Sequence, residues 1–344
     1  MKRELLVIKF GTASITKADG TPDQDILAEI ARQISILHKN YRVVIVSSGA
    51  VGAGKQFIKK YEGNINQRKA AAAIGNPLLL KMYDAEFSKY GIVVAQSLLE
   101  RQHFAKREQF LQLKATYEEL WKNNIIPIAN ENDVVSNREL KFSDNDELAT
   151  LIAGGFGATH LLLCTVSGGL LDGSGKIVDL VEKIDTETMG LVNKSKSSLG
   201  LGGMASKLTF THLATKMGIK VSIFGMKQAD GIINALQQKS GTSFLPEKNR
   251  ISARNKWMAS GGMTVGKITI DKGAVAAIHS KKSLLSVGIL EFEGDFQVGE
   301  IVEIIDIEQN TIAVGTTRLS AEKLKSELKT PNTILVHVDD LVVL

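Results

Sequence analysis

Two lysines and one aspartate, Lys9, Asp146 and Lys207, are the residues whose types and positions point most directly to chemistry. Lys9 ends an otherwise apolar run, where an ammonium group must either enter a polar site or give up its charge. A lysine stem lying on apolar surface with its ammonium in water is the alternative for Lys9. Phosphoryl transfer depends on positioning and on cancelling the charge of the moving group. Two lysines flanking that group, with Asp146 holding them, would meet both needs.

Two glycine-rich segments, 47–56 and 200–207, are candidates for anion binding. In the first, Gly49 and Gly54 nearly reproduce a P-loop, but Gln56 replaces the Ser or Thr whose hydroxyl holds magnesium. A glycine turn leading into a helix still offers backbone N–H groups to an anion. An anion or substrate loop is therefore favoured over glycines that only allow close packing. The second segment adds a lysine to such a turn, which favours phosphate binding there.

Two further segments, 130–133 (Asn-Glu-Asn-Asp) and 144–147 (Asp-Asn-Asp-Glu), concentrate carboxylates and amides. The first follows a predicted strand and the second opens a predicted helix. An α-amino acid presents an ammonium, which needs acceptors, and a carboxylate, which needs donors, so amides and carboxylates together suit it. A plain helix cap is the alternative for Asp144, but it accounts for neither Asp146 nor the first segment.

The elements that must position these residues alternate between short apolar runs and longer helical patterns. Continuous apolar runs are typical of strands buried on both faces, and they occur at 5–10, 43–47, 92–96, 125–129, 160–165 and 220–224. Helical patterns occur between them at 25–37, 67–90, 108–123, 145–154 and 204–217. This alternation predicts the α/β class, with an open, mainly parallel sheet sandwiched by helices. Each cluster above falls where a predicted strand ends, at the edge where open parallel sheets bind ligands.

The chain of 344 residues predicts two domains. We place the large domain at 1–250, a polar linker at 251–262, and a small β-rich domain with two brief helices at 263–344. Residues 261–344 contain 8 Lys and Arg against 12 Asp and Glu, whereas the first 260 contain 34 against 25. The basic large domain suits an anionic substrate such as a nucleotide, and the acidic small domain makes nucleic-acid binding there unexpected.

Composition also excludes several classes of protein and site. A single cysteine, Cys164, excludes a disulfide framework and a multi-cysteine metal site, and its apolar surroundings predict a buried, inert thiol. The six histidines are scattered at no metal-ligand spacing, so we expect no protein-built metal site and no Ser-His-Asp triad. No apolar run approaches the roughly 20 residues that span a membrane. We therefore expect a cytoplasmic, reducing location.

Taken together, the motifs resemble those of the glutamate 5-kinase family of the amino-acid kinase superfamily. The resemblance covers the whole large domain, in the family's order and with similar spacing, and the small domain is similar to the PUA domain that many bacterial members carry. The motifs that carry it are Lys9-Phe10-Gly11-Thr12, Ser47-Ser48-Gly49-Ala50, Asn130-Glu131-Asn132-Asp133, Asp144-Asn145-Asp146 and Gly202-Gly203-Met204-Ala205-Ser206-Lys207. It implies an amino-acid kinase-like fold and ATP-dependent phosphorylation of the γ-carboxylate of L-glutamate, the first step of proline synthesis.

The resemblance also implies roles for individual residues. Lys9 and Lys207 would stabilise the transferring phosphoryl group, and Asp146 would organise both lysines. L-Glutamate would contact Ser48, Gly49, Asn130, Asp133 and Asn145. ATP, with Mg²⁺ bridging its phosphates, would contact Lys9, Gly11, Thr165, Val166, Leu201, Gly202, Gly203, Met204, Ala205, Ser206 and Lys207. A homo-oligomer, either a dimer or a tetramer, and feedback inhibition by proline are implied as well.

Three positions depart from the family's usual pattern. Val166 stands where an Asp commonly follows the threonine, Leu201 stands where the glycine loop commonly begins with Thr, and Ala13 stands where Ser is common. All three concern the nucleotide side, so they bear on nucleotide affinity and preference more than on the acceptor. Two other functions stay open: another amino-acid kinase with a different carboxylate or carbamate acceptor, and a non-catalytic RNA-binding or regulatory protein that uses its PUA domain.

Overall fold

The fold follows from a computed structural model, which describes residues 3–105, 107–135, 145–185, 188, 190–191, 203–247, 264–280, 282–296, 298 and 301–343. The chain divides into two compact units, one formed by residues 1–100 and 111–250 and the other by residues 101–110 and 251–344. The domain boundaries inferred from the sequence stay predictions, and the predicted linker at 251–262 lies outside the described residues.

The strands of the large unit are mostly buried along their whole length, as the continuous apolar runs predict. Their bounds are β1 Glu4–Phe10, β2 Tyr41–Ser47, β3 Val94–Leu99, β4 Ile126–Glu131, β5 His160–Cys164, β6 Leu180–Val181, β7 Lys220–Phe224 and β8 Thr242–Phe244. The helices up to residue 236 are α1 Thr12–Ile15, α2 Gln24–Leu37, α3 Ala50–Gly54, α4 Ile65–Ser88, α5 Gln102–Ala105, α6 Arg107–Lys122, α7 Asn145–Phe156, α8 Met204–Lys216 and α9 Gly231–Leu236.

These strands form one sheet whose order, among the described residues, is β3-β4-β2-β1-β5-β7-β8-β6. The pairs from β3 through β7 are all parallel, and β8 runs antiparallel to β7. Phe10 at the end of β1 pairs with Ser47 at the end of β2 and with Cys164 at the end of β5. The predicted fold class is thus confirmed, and the carboxyl ends of the central strands meet at one edge.

One predicted boundary is shifted in a way that matters for the site. The sequence places Asn130 and Glu131 in a loop after the strand, but β4 continues through both because they pair with Leu98 and Leu99 of β3. Polar residues after an apolar run are typical of a loop, so the sequence predicts that the strand ends at residue 129. The backbone hydrogen bonds between β3 and β4 nevertheless continue past the apolar run. Asn130 is therefore held by the sheet itself.

The glycines of the 47–56 segment have two different roles. Gly49 precedes α3 with φ +103°, a left-handed conformation that favours glycine. Gly54 and Gly75 instead let α3 and α4 approach backbone to backbone, since an added Cβ at Gly54 would lie 1.9 Å from the Ala71 carbonyl oxygen and one at Gly75 1.7 Å from that of Ala50. Close packing therefore accounts for Gly54, and only Gly49 remains a candidate for the anion or substrate loop.

Replacing Gly75 with alanine is expected to lower the free energy of unfolding by at least about 2 kcal/mol, because the added methyl group forces backbone atoms apart. Denaturant unfolding of the purified variant measures this. Gly173→Ala is the matched control, since a Cβ at Gly173 meets no atom within 4 Å, and it should change stability by less than about 0.5 kcal/mol. Equal stability of the two variants would contradict the close approach of α3 and α4.

The C-terminal part of the small unit contains, among its described residues from 264 to 343, a second sheet and two short α-helices, in agreement with the predicted β-rich domain. Within the described residues the sheet order is β10-β14-β13-β12-β9-β11, and its buried side chains form a separate hydrophobic cluster. The bounds are β9 Thr264–Ile270, β10 Leu284–Leu285, β11 Ile289–Glu293, β12 Ile301–Ile305, β13 Thr311–Thr317, β14 Ile334–Val343, α10 Lys272–His279 and α11 Ala321–Glu327. Of the helices described in either unit, none has both the length and the apolar character needed to cross a membrane.

Candidate active site

Lys9, Asp146 and Lys207 form a buried cluster at the carboxyl edge of the sheet. Lys9 Nζ lies 2.5 Å from Asp146 Oδ1, and Lys207 Nζ lies 2.9 Å from Asp146 Oδ2. Asp146 is 0% exposed, Lys9 4% and Lys207 6%. The structure thus brings together three residues that are 61 or more positions apart in the sequence, and each oxygen of one carboxylate holds one ammonium group.

Three different elements supply these side chains. Alternation along β1 places Lys9 on the face opposite Ile8 and Phe10, which pack in the hydrophobic cluster with α2 and α4. Helices α7 and α8 pack together, and α7 also packs on β1. Asp146 is in the first turn of α7 and Lys207 is in the first turn of α8. Both helices therefore begin beside the end of β1, and their first turns bring both charges to Lys9.

The cluster places two ammonium groups around one carboxylate. Burial acts to raise the pKa of Asp146, but the adjacent ammonium groups of Lys9 and Lys207 outweigh burial and hold that pKa below its ordinary value. Asp146 is therefore ionised at neutral pH. One ionised carboxylate thus lies between two buried ammonium groups, and fixed ammonium groups in a buried site suit an anionic ligand.

The loop after β2 lies against the same edge. The backbone N–H of Ser48 donates to the Phe10 carbonyl at 3.0 Å, and Gly49 begins the turn into α3. Ser47 is buried, and its hydroxyl lies 2.9 Å from the hydroxyl of Tyr83 on α4. Ser48, which the sequence proposes for substrate binding, is therefore fixed by β1 on one side.

A chain of amide hydrogen bonds links three elements next to Ser48. Asn145 Nδ2 donates to Ser48 Oγ at 2.8 Å and to Asn130 Oδ1 at 2.9 Å. Asn130 Nδ2 donates in turn to Asn76 Oδ1 at 3.0 Å. The proposed acceptor residues Ser48, Asn130 and Asn145 are thus in direct contact, and Asp133 follows β4 at the same edge, half-buried in a turn.

Residues proposed for the nucleotide flank the lysines on the other side. Gly11 is so close to Lys9 that an added Cβ would lie 3.7 Å from its Nζ. Thr165 follows β5, and its backbone N–H donates to the Phe224 carbonyl at 2.7 Å. Val166 beside it is 48% exposed, an apolar side chain at the rim of the edge. Gly203 precedes α8, which contains Met204, Ala205 and Ser206 in its first turn, whereas Leu201 and Gly202 lie outside the described residues, as does Asp144.

Sequence reasoning missed two residues that support this site, Asn76 and Tyr83. Both lie on the buried stripe of α4, where burial is otherwise mostly apolar. At the sheet edge the side chain of Asn76 is hydrogen-bonded to Asn130, and that of Tyr83 to Ser47. Burial raises the pKa of Tyr83. The sequence signal that could have identified both residues is a polar side chain on an otherwise apolar helical stripe, since such a group is costly to bury without a partner.

The described residues offer no built metal site. Among them, no group of three or more His, Cys, Asp or Glu side chains is placed to hold a metal ion. Asp146, the acidic residue of the cluster, already contacts both ammonium groups. Cys164 is buried, as predicted, and burial raises the pKa of its thiol to about 11, so it is a poor nucleophile at neutral pH.

Comparison with known proteins relates both units to described families. The profile of the amino acid kinase family matches residues 4–225, and that of the PUA domain matches residues 266–329. The glutamate 5-kinase of Thermoanaerobacter sp. (strain X514) is 35% identical over 332 residues, covering 93% of this chain and 89% of that protein. The glutamate 5-kinase of Kosmotoga olearia is 35% identical, covering 98% of both chains, and that of Streptococcus suis is 34% identical, covering 99% of both.

Solved structures show the same fold at lower identity. The carbamate kinase of Giardia aligns with a TM-score of 0.51 and 18% identity, covering 71% of this chain and 99% of its own. The sheet order and the helices on both of its faces are thus those of a known class of structure.

Proposed function

The chain belongs to the amino acid kinase family, and from this membership and the geometry of the cluster we propose that it transfers the γ-phosphoryl group of ATP to the γ-carboxylate of L-glutamate. The relatives that match nearly its whole length are glutamate 5-kinases, which confirms the resemblance inferred from the motifs. The product is L-glutamyl 5-phosphate, and the reaction is the first step of proline synthesis. A homo-oligomer and inhibition by proline stay predictions.

The observation that carries this proposal is the buried Lys9–Asp146–Lys207 cluster, in which one carboxylate holds two ammonium groups at the carboxyl edge of the sheet. A phosphoryl group in transit carries negative charge on its equatorial oxygens, and fixed ammonium groups in a site of low dielectric stabilise it.

The reaction needs no covalent intermediate on the protein. A γ-carboxylate oxygen of glutamate attacks the γ-phosphorus of ATP, the new O–P bond forms, and the bond from that phosphorus to the β,γ-bridging oxygen breaks, so that ADP leaves with its electron pair. Lys9 and Lys207 neutralise charge on the moving group, and Asp146 keeps both ammonium groups in place. A carboxylate nucleophile is already ionised at neutral pH, so a general base is not required.

Magnesium fits this scheme as part of the nucleotide substrate. The described residues provide no cluster of carboxylates that would form a metal cage, and Mg²⁺ commonly binds through substrate phosphates with few protein ligands. We therefore propose MgATP as the phosphoryl donor. No residue described here is assigned as a metal ligand.

The acceptor assignment is supported by the polar groups around Ser48. The Asn145 side chain contacts Ser48 directly, and Asp133 lies at the same edge. Side-chain oxygens and amide groups together can bind both the ammonium and the α-carboxylate of an amino acid. The γ-carboxylate would then extend toward Lys9, whose strand end holds the backbone of Ser48.

The direct test is ADP release from MgATP with L-glutamate as acceptor. L-Aspartate and N-acetylglutamate are the control acceptors, and hydroxylamine traps an acyl phosphate as its hydroxamate. We expect glutamate-dependent ADP release together with γ-glutamyl hydroxamate. Activity with a different carboxylate or carbamate would assign another amino-acid kinase reaction. Absence of turnover with ATP and other nucleotides, from folded protein, would contradict a kinase function.

Replacing Asp133 with alanine is expected to raise the KM for L-glutamate by roughly 10–100-fold, the effect of losing a hydrogen bond to a charged group. The turnover number should change by only a few-fold, because Asp133 is not part of the lysine cluster. Initial rates against glutamate concentration at saturating MgATP measure both constants. Asp84→Asn, which alters an exposed carboxylate on α4, is the control, and an unchanged glutamate dependence in Asp133→Ala would refute the placement.

A further inference from the structure

We propose that Asn76 is a positioning residue of the acceptor site, whose side-chain oxygen fixes the orientation of two amides and thereby makes Asn145 Oδ1 a hydrogen-bond acceptor for the substrate ammonium. This inference rests on the proposed function and deepens it. Asn76 lies on α4, a different element from those that contain the candidate substrate residues, and it is 6% exposed.

The orientation of the amides can be derived from one backbone group. The N–H of Glu131 is a donor, and it lies 2.9 Å from a side-chain atom of Asn130, which must therefore be the oxygen. The other end of the Asn130 amide is then the nitrogen, a donor, so the Asn76 atom at 3.0 Å must be an acceptor. Asn76 and the Glu131 backbone thus hold the Asn130 amide in one of its two possible orientations.

The same logic extends to Asn145. Its atom at 2.9 Å from Asn130 Oδ1 must be a donor, and that nitrogen also donates to Ser48 Oγ at 2.8 Å. Both contacts use the nitrogen of the Asn145 amide, so its oxygen, Oδ1, is left to accept a hydrogen bond from elsewhere. It is buried and has no hydrogen-bond partner among the residues that the structure describes. A buried carbonyl oxygen without a donor is unfavourable, and the ammonium of an amino acid would supply the donor.

Asn76 acts in this relay through its oxygen. Its Nδ2 is buried and has no hydrogen-bond partner within the described part of the chain. Without the acceptor on Asn76, only the Glu131 backbone N–H still defines the orientation of the Asn130 amide, and in those molecules in which Asn130 rotates, its nitrogen would face Asn145. Asn145 would then turn its own oxygen toward Asn130, away from the substrate.

The test compares binding of L-glutamate and of glutarate, which lacks the α-ammonium, by titration calorimetry of the full chain. In Asn76→Leu we expect the Kd for L-glutamate to rise by about 10-fold or more, and the Kd for glutarate to change by less than about 3-fold. Asn76→Asp retains an acceptor oxygen and exchanges the Nδ2 group, which has no partner in the described part of the chain, for a second oxygen, so both Kd values should stay within about 3-fold of the original chain. Asn76→Ala removes the acceptor without adding volume and should repeat the selective loss if Asn76→Leu does not fold.

A merely structural role is distinguished by Leu79→Ala, which opens a cavity one turn further along α4. That variant should lose stability without changing the preference for L-glutamate over glutarate. Equal loss of both ligands in Asn76→Leu, or the same selective loss in Asn76→Asp, would overturn this inference while leaving the proposed function intact. Failure of the unaltered chain to bind L-glutamate would instead count against the proposed function itself.

Discussion

Replacing Asp146 with asparagine is expected to lower the turnover number by at least about 100-fold, as removal of a preorganised charge contact commonly does. The carboxylate holds Lys9 Nζ at 2.5 Å and Lys207 Nζ at 2.9 Å. An amide of the same shape cannot neutralise either, so the two ammonium groups repel each other and leave the geometry that phosphoryl transfer needs. Steady-state rates at saturating L-glutamate and MgATP measure the effect, and Asp84→Asn is the control for loss of an exposed carboxylate.

The same substitution is expected to lower the free energy of unfolding by about 3–5 kcal/mol, because it leaves two buried positive charges without their partner. The pKa of Asp146 is held below its ordinary value of 3.8, so this stabilisation is present above that value and is lost as the pH falls through the lower pKa of the folded state. The stability difference between the original chain and Asp146→Asn should therefore be constant near neutrality and shrink in acid. A folded variant with turnover within 10-fold of the original would show that Asp146 does not organise the lysines.

Replacing Lys207 with methionine is expected to lower the turnover number by about 100–1,000-fold, with a much smaller effect on stability. Methionine keeps most of the buried stem, and Lys9 and Asp146 remain as an ion pair. The site then lacks one of the two ammonium groups that we assign to stabilising the moving phosphoryl group. Rates measured over glutamate and MgATP concentrations should show a KM for L-glutamate within a few-fold of the original, since Lys207 is not placed on the acceptor side.

A matched control lies on the same helix. Lys216 is in the last turn of α8, about two and a half turns after Lys207, and its half-buried side chain has the same length and type of charged group. Lys216→Met should leave the turnover number within about 2-fold of the original. Equal activity losses in the two variants would indicate a general effect on α8, and near-original turnover in Lys207→Met would remove Lys207 from the reaction.

Local pattern in the sequence is sufficient for the α/β class of the large unit and for its longer elements, but it did not predict β6, β8 or the short helices α1, α3, α5 and α9. Strand β7 occupies the residues predicted for it, and the other predicted elements end within a few residues of their predicted bounds. The reason is that strands buried on both faces must be apolar throughout, while helices between them need one apolar stripe. The prediction was less accurate at the ends of β3 and β4, which continue to Leu99 and Glu131, because their pairing is a property of two segments rather than one.

Several residues of the candidate site can also be identified from the sequence. Lys9 can be identified because it is a charged residue at the end of an apolar strand, and Lys207 because it follows a glycine turn at the start of a helix. Both patterns have few explanations other than a functional site. The composition of the cluster, two lysines and one aspartate, could also be predicted from the sequence. The sequence does not give the distances between these residues. The Asp146 carboxylate contacts both Lys9 and Lys207 only because α7 and α8 pack beside β1.

The sequence by itself therefore determined the α/β class, the two-part organisation and the kinds of residue that the site uses, since these depend on composition and short-range periodicity. Only the tertiary structure decided that Gly54 and Gly75 serve helix packing, that Asn76 reaches Asn130 from α4, and that one buried carboxylate joins both lysines. Each of these is a contact between segments distant in the chain. Such contacts arise from the burial of several elements at once, and no local pattern encodes them.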